Sequence, residues 1–159
     1  LLRVDHAGEV AAQGLYQGQA MVARNAEVAA RLQRAADEEN DHLAWCRERI
    51  VELGGRTSRL DPVWYMGSFV IGAAAGLAGD RWSLGFVVET ERQVVRHLEN
   101  HLARLPTQDT RSSAILEKMK QDEETHGTQA TLGAAVLPPP IKVMMTLASK
   151  VMTKTAYWI

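Results

Sequence analysis

The sequence has one cysteine, almost no net charge and no pattern typical of β-strands. Cys46 alone excludes an intramolecular disulfide and any site built from several cysteines, and it leaves a reducing compartment open. A formal net charge of -1 argues against nucleic-acid binding, which needs a basic excess to neutralise phosphates. No segment alternates with β period, and no glycine-rich loop ends as a phosphate-binding motif does. These absences predict an all-α protein that does not bind nucleic acid.

Long runs of strongly apolar residues are also absent, and the nearest approach is the uncharged segment 62–79. Its 18 residues reach the lower limit of a membrane-spanning length, but they are rich in Gly and Ala and poor in Leu and Ile. We therefore expect a buried crossover helix, or a helix lying in a membrane interface with Trp64 and Tyr65 near the headgroups. Gly72 and Gly76 would permit close packing against another helix.

The remaining pattern predicts one helical domain over residues 1–159. A chain of this length with 46% hydrophobic residues can bury one substantial core. Apolar residues at three- and four-residue spacing, together with glycine and proline stop signals, mark the helices. The predicted ranges are 2–24, 27–53, 62–79, 81–105, 110–133 and 138–159. The chain begins inside a helical pattern without methionine, so we expect it to be a trimmed segment.

The last predicted helix, 138–159, is basic and amphipathic. No acidic residue follows Glu124, whereas Lys142, Lys150 and Lys154 flank an apolar face. The predicted face consists of Ile141, Met144, Met145, Ala148, Val151 and Met152. A methionine-rich face edged by lysine favours docking on an anionic membrane surface or a partner, with ordinary packing as the alternative.

Two Glu-x-x-His motifs, Glu39 to His42 and Glu123 to His126, carry the strongest chemical signal. Positions i and i+3 share a helix face, so each motif presents a carboxylate and an imidazole together. Both glutamates fall in apolar stripes that predict burial, where an unpaired carboxylate requires a cation or a proton. Two such motifs therefore predict two metal ions between packed helices.

A centre of this kind needs two further inward glutamates. Glu9 is the only acid on the apolar stripe of the first helix beyond its first turn. In the fourth helix, Glu91 continues an apolar stripe, whereas the stripe through Glu89 turns polar; we assign Glu91 as the ligand and Glu89 as a peripheral acid satisfied by water. Glu9 precedes Glu39 by 30 residues and Glu91 precedes Glu123 by 32, as in an internally repeated bundle.

The predicted ligand set is Glu9, Glu39, His42, Glu91, Glu123 and His126. Four carboxylates balance two divalent cations, and the mixed oxygen and nitrogen donors suit iron or manganese better than zinc. Asp5, His6 and His97 are candidates for orienting the ligands by hydrogen bonds, with ordinary polar helix residues as the alternative. Tyr16 is expected to line a pocket, to tune the site or to be plain core. His101 is expected at the surface, and Cys46 in the core.

Four segments resemble the demethoxyubiquinone hydroxylase family of ubiquinone biosynthesis. They are Arg3-Val-Asp-His-Ala-Gly-Glu9, Asp37-Glu-Glu-Asn-Asp-His-Leu43, Val88-Glu-Thr-Glu91 and Asp122-Glu-Glu-Thr-His126. The resemblance implies a ferritin-like di-iron monooxygenase that hydroxylates the ring of a polyprenyl demethoxyquinol, with O₂ as oxidant and NADH as electron source. It also implies a peripheral location on the cytoplasmic face of a bacterial inner membrane or the matrix face of the mitochondrial inner membrane. A lipid-binding partner protein or a second copy of the chain is a further expected partner.

Two other functions share the six ligands. One is a rubrerythrin- or catalase-like di-metal protein that acts on peroxide, and the other is a non-enzymatic iron-binding helical bundle. Neither needs the apolar segment 62–79 or the basic segment 138–159. Those two segments therefore favour the membrane-associated monooxygenase.

Overall fold

The computed structural model describes residues 1–159 and contains six α-helices and no strand. The helices are α1 (Leu2–Val22), α2 (Ala26–Glu52), α3 (Asp61–Leu77), α4 (Asp80–Leu102), α5 (Thr110–Thr131) and α6 (Pro139–Trp158). The predicted all-α fold is confirmed, and every helix end lies within three residues of its predicted position. The largest difference is at α4, which ends at Leu102 because residues 103–105 form a turn ahead of Pro106.

Two helical hairpins, α1–α2 and α4–α5, form the bundle. In the first, the Asn25 side chain caps α2 by accepting hydrogen bonds from the backbone N–H groups of Glu27 and Val28. In the second, Asp109 caps α5 by accepting from the N–H of Ser112. Such caps contribute about 1 kcal/mol each and fix where the second helix of a hairpin begins. Arg49 of α2 also binds Asp109, which ties the two hairpins together.

The apolar core is divided into two clusters, one on each side of the inward-facing motifs. Along α2, Leu32 and Ala36 belong to the first cluster, and Cys46 and Ile50 belong to the second. The Glu-x-x-His motif of α2 lies between these pairs. Along α5 the order is reversed, since Leu116 and Met119 of the second cluster precede the motif and Ala130 of the first follows it. The core therefore surrounds a polar layer, and Cys46 is a core residue as expected.

The crossover helix α3 packs directly on the backbone of α1. A Cβ atom added at Gly18 would overlap the carbonyl oxygen of Phe69, and one added at Gly72 would overlap that of Leu15. A Cβ atom at Gly14 would overlap the carbonyl oxygen of Tyr65, and one at Gly76 would overlap the side chain of Val22. The close packing expected from Gly72 and Gly76 is confirmed, and its counterpart on α1 is a matching pair of glycines four residues apart.

The last helix, α6, packs against α1 and α4 with one face and leaves the other exposed. The predicted apolar face was partly wrong, because it combined residues from both sides. Met145 and Met152 turn toward the bundle, whereas Met144 and Val151 are exposed. None of the six helices combines the length and apolar character that crossing a membrane requires.

Candidate metal centre

The six predicted ligands come together in the polar layer of the bundle. Each of the four bundle helices contributes at least one of them, and none is more than 8% exposed. Their ligand atoms form two overlapping groups, each with all atoms within 4.8 Å of one another. The first group is Glu9, Glu39, His42 and Glu123, and the second is Glu91, Glu123 and His126.

Glu123 is the residue common to both groups. Its Oε1 lies 3.1 Å from His42 Nδ1, and its Oε2 lies 3.2 Å from His126 Nδ1. One carboxylate therefore faces both imidazoles through different oxygens. This is the geometry of a carboxylate that bridges two cations.

Both imidazoles direct Nδ1 into the site and Nε2 toward an acid outside it. His42 Nε2 lies 3.2 Å from Asp122 Oδ2, and His126 Nε2 lies 2.5 Å from Glu38 Oε2. A carboxylate behind a ligating histidine fixes its tautomer and raises its basicity. Neither acid was predicted from the sequence, although each directly precedes one of the inward glutamates.

The donor set fits a pair of cations, because buried carboxylate oxygens are left without hydrogen-bond partners. These oxygens are Glu9 Oε2, Glu39 Oε1 and Glu91 Oε2. Burial raises the pKa of Glu9, Glu39 and Glu91, and repulsion from Glu123 raises each of them further. Such convergence of acids is costly unless positive charge lies between them.

The two histidines supply part of that positive charge when no metal is bound. Burial alone would lower the pKa of His42, but hydrogen bonds with Glu123 and Glu39 raise it strongly. Burial alone would also lower the pKa of His126, but the hydrogen bond between His126 and Glu123 raises it. Burial would raise the pKa of Glu123, but its bonds to His126 and His42 lower it. In the metal-free protein, protons on the imidazoles therefore take the place of the cations.

Tyr16 belongs both to the core and to the site. Its side chain is fully buried in the first apolar cluster, and its hydroxyl donates a hydrogen bond to Glu91 Oε1. Burial, followed by the charge of Glu91, raises the pKa of Tyr16 well above its ordinary value. The phenol therefore stays protonated and acts as a donor that holds one oxygen of Glu91.

The three other candidates contact one another or the crossover helix rather than the six ligands. Asp5 Oδ1 lies 2.7 Å from His101 Nδ1 and 3.9 Å from His97 Nε2. His6 Nδ1 lies 3.3 Å from Asp61 Oδ2, at the first turn of α3. The expectation that His101 lies at the surface was wrong, because Asp5 of α1 packs against it and leaves it only 3% exposed.

The two glutamates of α4 occupy different positions, and one expectation about Glu89 was wrong. Glu91 lies among the ligands, whereas Glu89 belongs to neither ligand group. Glu89 is not satisfied by water, since it is only 2% exposed. Instead, Arg92 binds it at 2.6 Å and Gln93 at 2.8 Å, on the side of α4 that α6 covers.

Comparison with known proteins agrees with the motifs. Residues 1–156 match the family described as "Ubiquinone biosynthesis protein COQ7". The chain belongs to the COQ7 family. The 3-demethoxyubiquinol 3-hydroxylase of Nitrosococcus oceani is 62% identical over 160 aligned residues, which cover all of this chain and 75% of that protein. Proteins of the same name from Nitrosospira multiformis and Nitrosomonas europaea are 59% and 57% identical, over all of this chain and 77% of each relative.

Membership of the COQ7 family confirms the resemblance read from the four motifs and the ferritin-like fold. All four motif segments lie within the matched residues. The bundle described here is therefore a COQ7 fold in which α1, α2, α4 and α5 carry the ligands. Helices α3 and α6 cover the α1–α4 side.

Proposed function

We propose that this chain is a di-iron monooxygenase that hydroxylates the ring of a polyprenyl demethoxyquinol in ubiquinone biosynthesis. The observation that carries the proposal is the convergence of four buried glutamates and two histidines on two adjacent positions that share Glu123. The names of the similar proteins supply the substrate class and the reaction. Neither source is sufficient alone, because the ligand set suits several di-metal chemistries.

The residues divide between two iron positions. Glu9, Glu39 and His42 would hold one ion, Glu91 and His126 would hold the other, and Glu123 would bridge them. When bound, the pair supplies the two-electron activation of O₂ that ring hydroxylation requires. One oxygen atom enters the ring and the other leaves as water. Two electrons and two protons from outside balance the reaction, and we propose NADH as the source of the electrons.

The protein's own residues position the ligands and limit the access of water to them. Asp122 and Glu38 hold the two histidines with Nδ1 inward. The Tyr16 hydroxyl donates a hydrogen bond to one oxygen of Glu91, and the other oxygen is left for a cation. The two apolar clusters close the polar layer from both ends of the bundle. Exclusion of water protects reactive oxygen from side reactions.

Access to the centre differs between the two sides of the bundle. A cavity of about 200 Å³ lies between α2, α4 and α5 and reaches His126 from solvent, with Arg31 and Arg34 at its polar edge. Such a volume accommodates about one small ring, which is too little for a polyprenyl quinol. We propose that the quinol enters from the α1–α4 side instead, where α3 and α6 lie.

The exposed faces of α3 and α6 support association with a membrane. On α3 the exposed apolar residues are Val63, Met66, Val70, Ile71 and Leu77, and on α6 they include Val143, Met144, Leu147, Val151 and Trp158. Lys150 and Lys154 lie on α6 beside them and would pair with anionic headgroups. We propose peripheral binding to the cytoplasmic face of a bacterial inner membrane, where the apolar substrate resides. A lipid-binding partner protein or a second copy of the chain would use the same faces.

Turnover with labelled oxygen tests the function. Iron-loaded protein is supplied with a short-chain demethoxyquinol, NADH with a reductase, and ¹⁸O₂, and the product is analysed by mass spectrometry. We expect one ¹⁸O atom per hydroxylated ring, and no product from the Glu39→Ala or His126→Ala variants. Peroxide consumption without ring hydroxylation would favour the peroxide-handling alternative. Binding of many irons per chain without turnover would favour storage.

A further inference from the structure

A second cluster of metal-binding side chains lies outside the six ligands. His97 and His101 are four residues apart on α4, and Asp5 projects toward them from α1. Their ligand atoms all lie within 4.8 Å of one another. Asp5 stands one helical turn before Glu9, so the cluster is adjacent to the di-metal layer but shares no residue with it.

Two atoms of this cluster are buried without a hydrogen-bond partner. They are Asp5 Oδ2 and His97 Nε2. The Asp5 side chain is completely buried, whereas that of His97 is 34% exposed. A buried acceptor without a partner is costly, and a cation held by the carboxylate and the two imidazoles would relieve that cost.

The spacing of the cluster suits a small divalent ion. Zinc lies about 2.0–2.2 Å from nitrogen and oxygen ligands, so neighbouring ligand atoms in a tetrahedral site are roughly 3.3 Å apart. The two separations from Asp5 Oδ1, 2.7 Å to His101 and 3.9 Å to His97, lie on either side of that value.

The protonation of the cluster also favours a metal. Burial lowers the pKa of His97, and the neighbouring His101 lowers it further. His97 is therefore a neutral imidazole near pH 7, which is the form that binds metals.

We propose that Asp5, His97 and His101 form a third metal site, which binds one divalent transition-metal ion independently of the di-metal centre. Two imidazoles and one carboxylate with an open position are the ligands typical of mononuclear zinc or ferrous sites. The ion would link α1 to α4 directly. Bound metal would therefore raise the thermal stability of the protein as well as its metal content.

Metal counting on matched variants tests this proposal. The full chain, its His97→Gln and Asp5→Asn variants, and a His6→Gln control are saturated with Zn²⁺, and bound metal is measured after removal of the excess. We expect both cluster variants to bind one equivalent fewer than the unmodified chain, and the control to bind the same number. His6 is a suitable control because it is a buried histidine that follows Asp5 in the sequence, but its side chain pairs with Asp61 and not with the cluster.

The difference in bound Zn²⁺ between the variants does not depend on the di-metal centre, because all of these proteins contain the six ligands. Co²⁺ gives a second readout, since a four-coordinate site has visible absorption bands that His97→Gln should remove. If Asp5→Asn fails to fold, His97→Gln decides alone, because that side chain is partly exposed. Equal Zn²⁺ content in the unmodified chain and in His97→Gln would overturn the proposal.

Discussion

At the scale of single residues, Glu123 is the centre of the site. It faces both histidines, whereas each other glutamate belongs to one ligand group only. Its position follows from the helical pattern, which placed all four inward glutamates from the sequence alone. The pattern did not reveal Glu38, Asp122 or the burial of His101, because each of these depends on a partner residue on another helix.

The first prediction concerns the shared carboxylate. Glu123→Gln removes a ligand from both of the proposed iron positions, so we expect it to bind less than one iron per chain, compared with two for the unmodified protein. Glu89→Gln is the matched control, since Glu89 is equally buried in α4 but belongs to neither ligand group. It should lose about 1–3 kcal/mol of stability through its bonds to Arg92 and Gln93 and still bind two irons. Two irons in Glu123→Gln would contradict the assignment.

The second prediction concerns pH. In the metal-free fold, Glu9, Glu39 and Glu91 have pKa values raised above the ordinary 4.5. Above that pH the fold retains protons that the unfolded chain has lost, so the contribution of these groups to stability falls as pH rises. Metal binding requires deprotonated ligands and strengthens in the same direction. The difference in Tm between iron-loaded and chelated protein should therefore grow from about pH 5.5 to about pH 8. A constant or shrinking difference would show that the carboxylates do not converge as described.

At the scale of helices, the contact between α1 and α3 determines where the crossover lies. The sequence indicated one half of this contact, Gly72 and Gly76, but not the matching Gly14 and Gly18. A pair of glycines on one helix indicates that another helix can pack closely against it, but it does not identify that helix. The same limit explains why the apolar face of α6 was only partly predicted, since its inward side is determined by α1 and α4.

The third prediction tests this contact. Gly18→Ala places a Cβ atom against the Phe69 carbonyl, so the two backbones must separate. We expect a loss of about 1–3 kcal/mol in the free energy of unfolding, measured by urea denaturation. Gly67→Ala is the control, because no atom lies within 4 Å of its Cβ and alanine favours the helix by roughly 0.5–1 kcal/mol. Equal stability of the two variants would contradict the close packing.

At the scale of the whole molecule, the ligands occupy the centre and the exposed apolar faces belong to the two additional helices. Neither α3 nor α6 contributes a metal ligand. Their exposed residues are therefore available for attachment to a membrane, and the polyprenyl chain of the proposed substrate would give a reason for attachment next to the α1–α4 side. Composition distinguishes both segments in the sequence, since they lack acidic side chains beyond Asp61.

The fourth prediction separates attachment from folding. The double variant Leu147→Ser and Val151→Ser removes two residues that are 58% and 62% exposed on α6, so its Tm should change little. Co-sedimentation with liposomes that contain anionic lipid should decrease several-fold. Val51→Ser, an equally exposed position on α2, should leave liposome binding unchanged. Unchanged liposome binding by the α6 double variant would exclude this face as the attachment surface. Unchanged liposome binding after removal of residues 138–159 would exclude it as well.

The measurement that tests the central claim most directly is ring hydroxylation as a function of bound iron. Metal-free protein is loaded with increasing iron, and iron content and hydroxylated quinol are measured on the same samples, with Glu89→Gln and Glu123→Gln alongside. We expect no product from metal-free protein and product that rises as the second iron binds. Glu89→Gln should show normal iron dependence, and Glu123→Gln should form no product. Full turnover with one iron per chain, or turnover by Glu123→Gln, would contradict a two-iron centre bridged by Glu123.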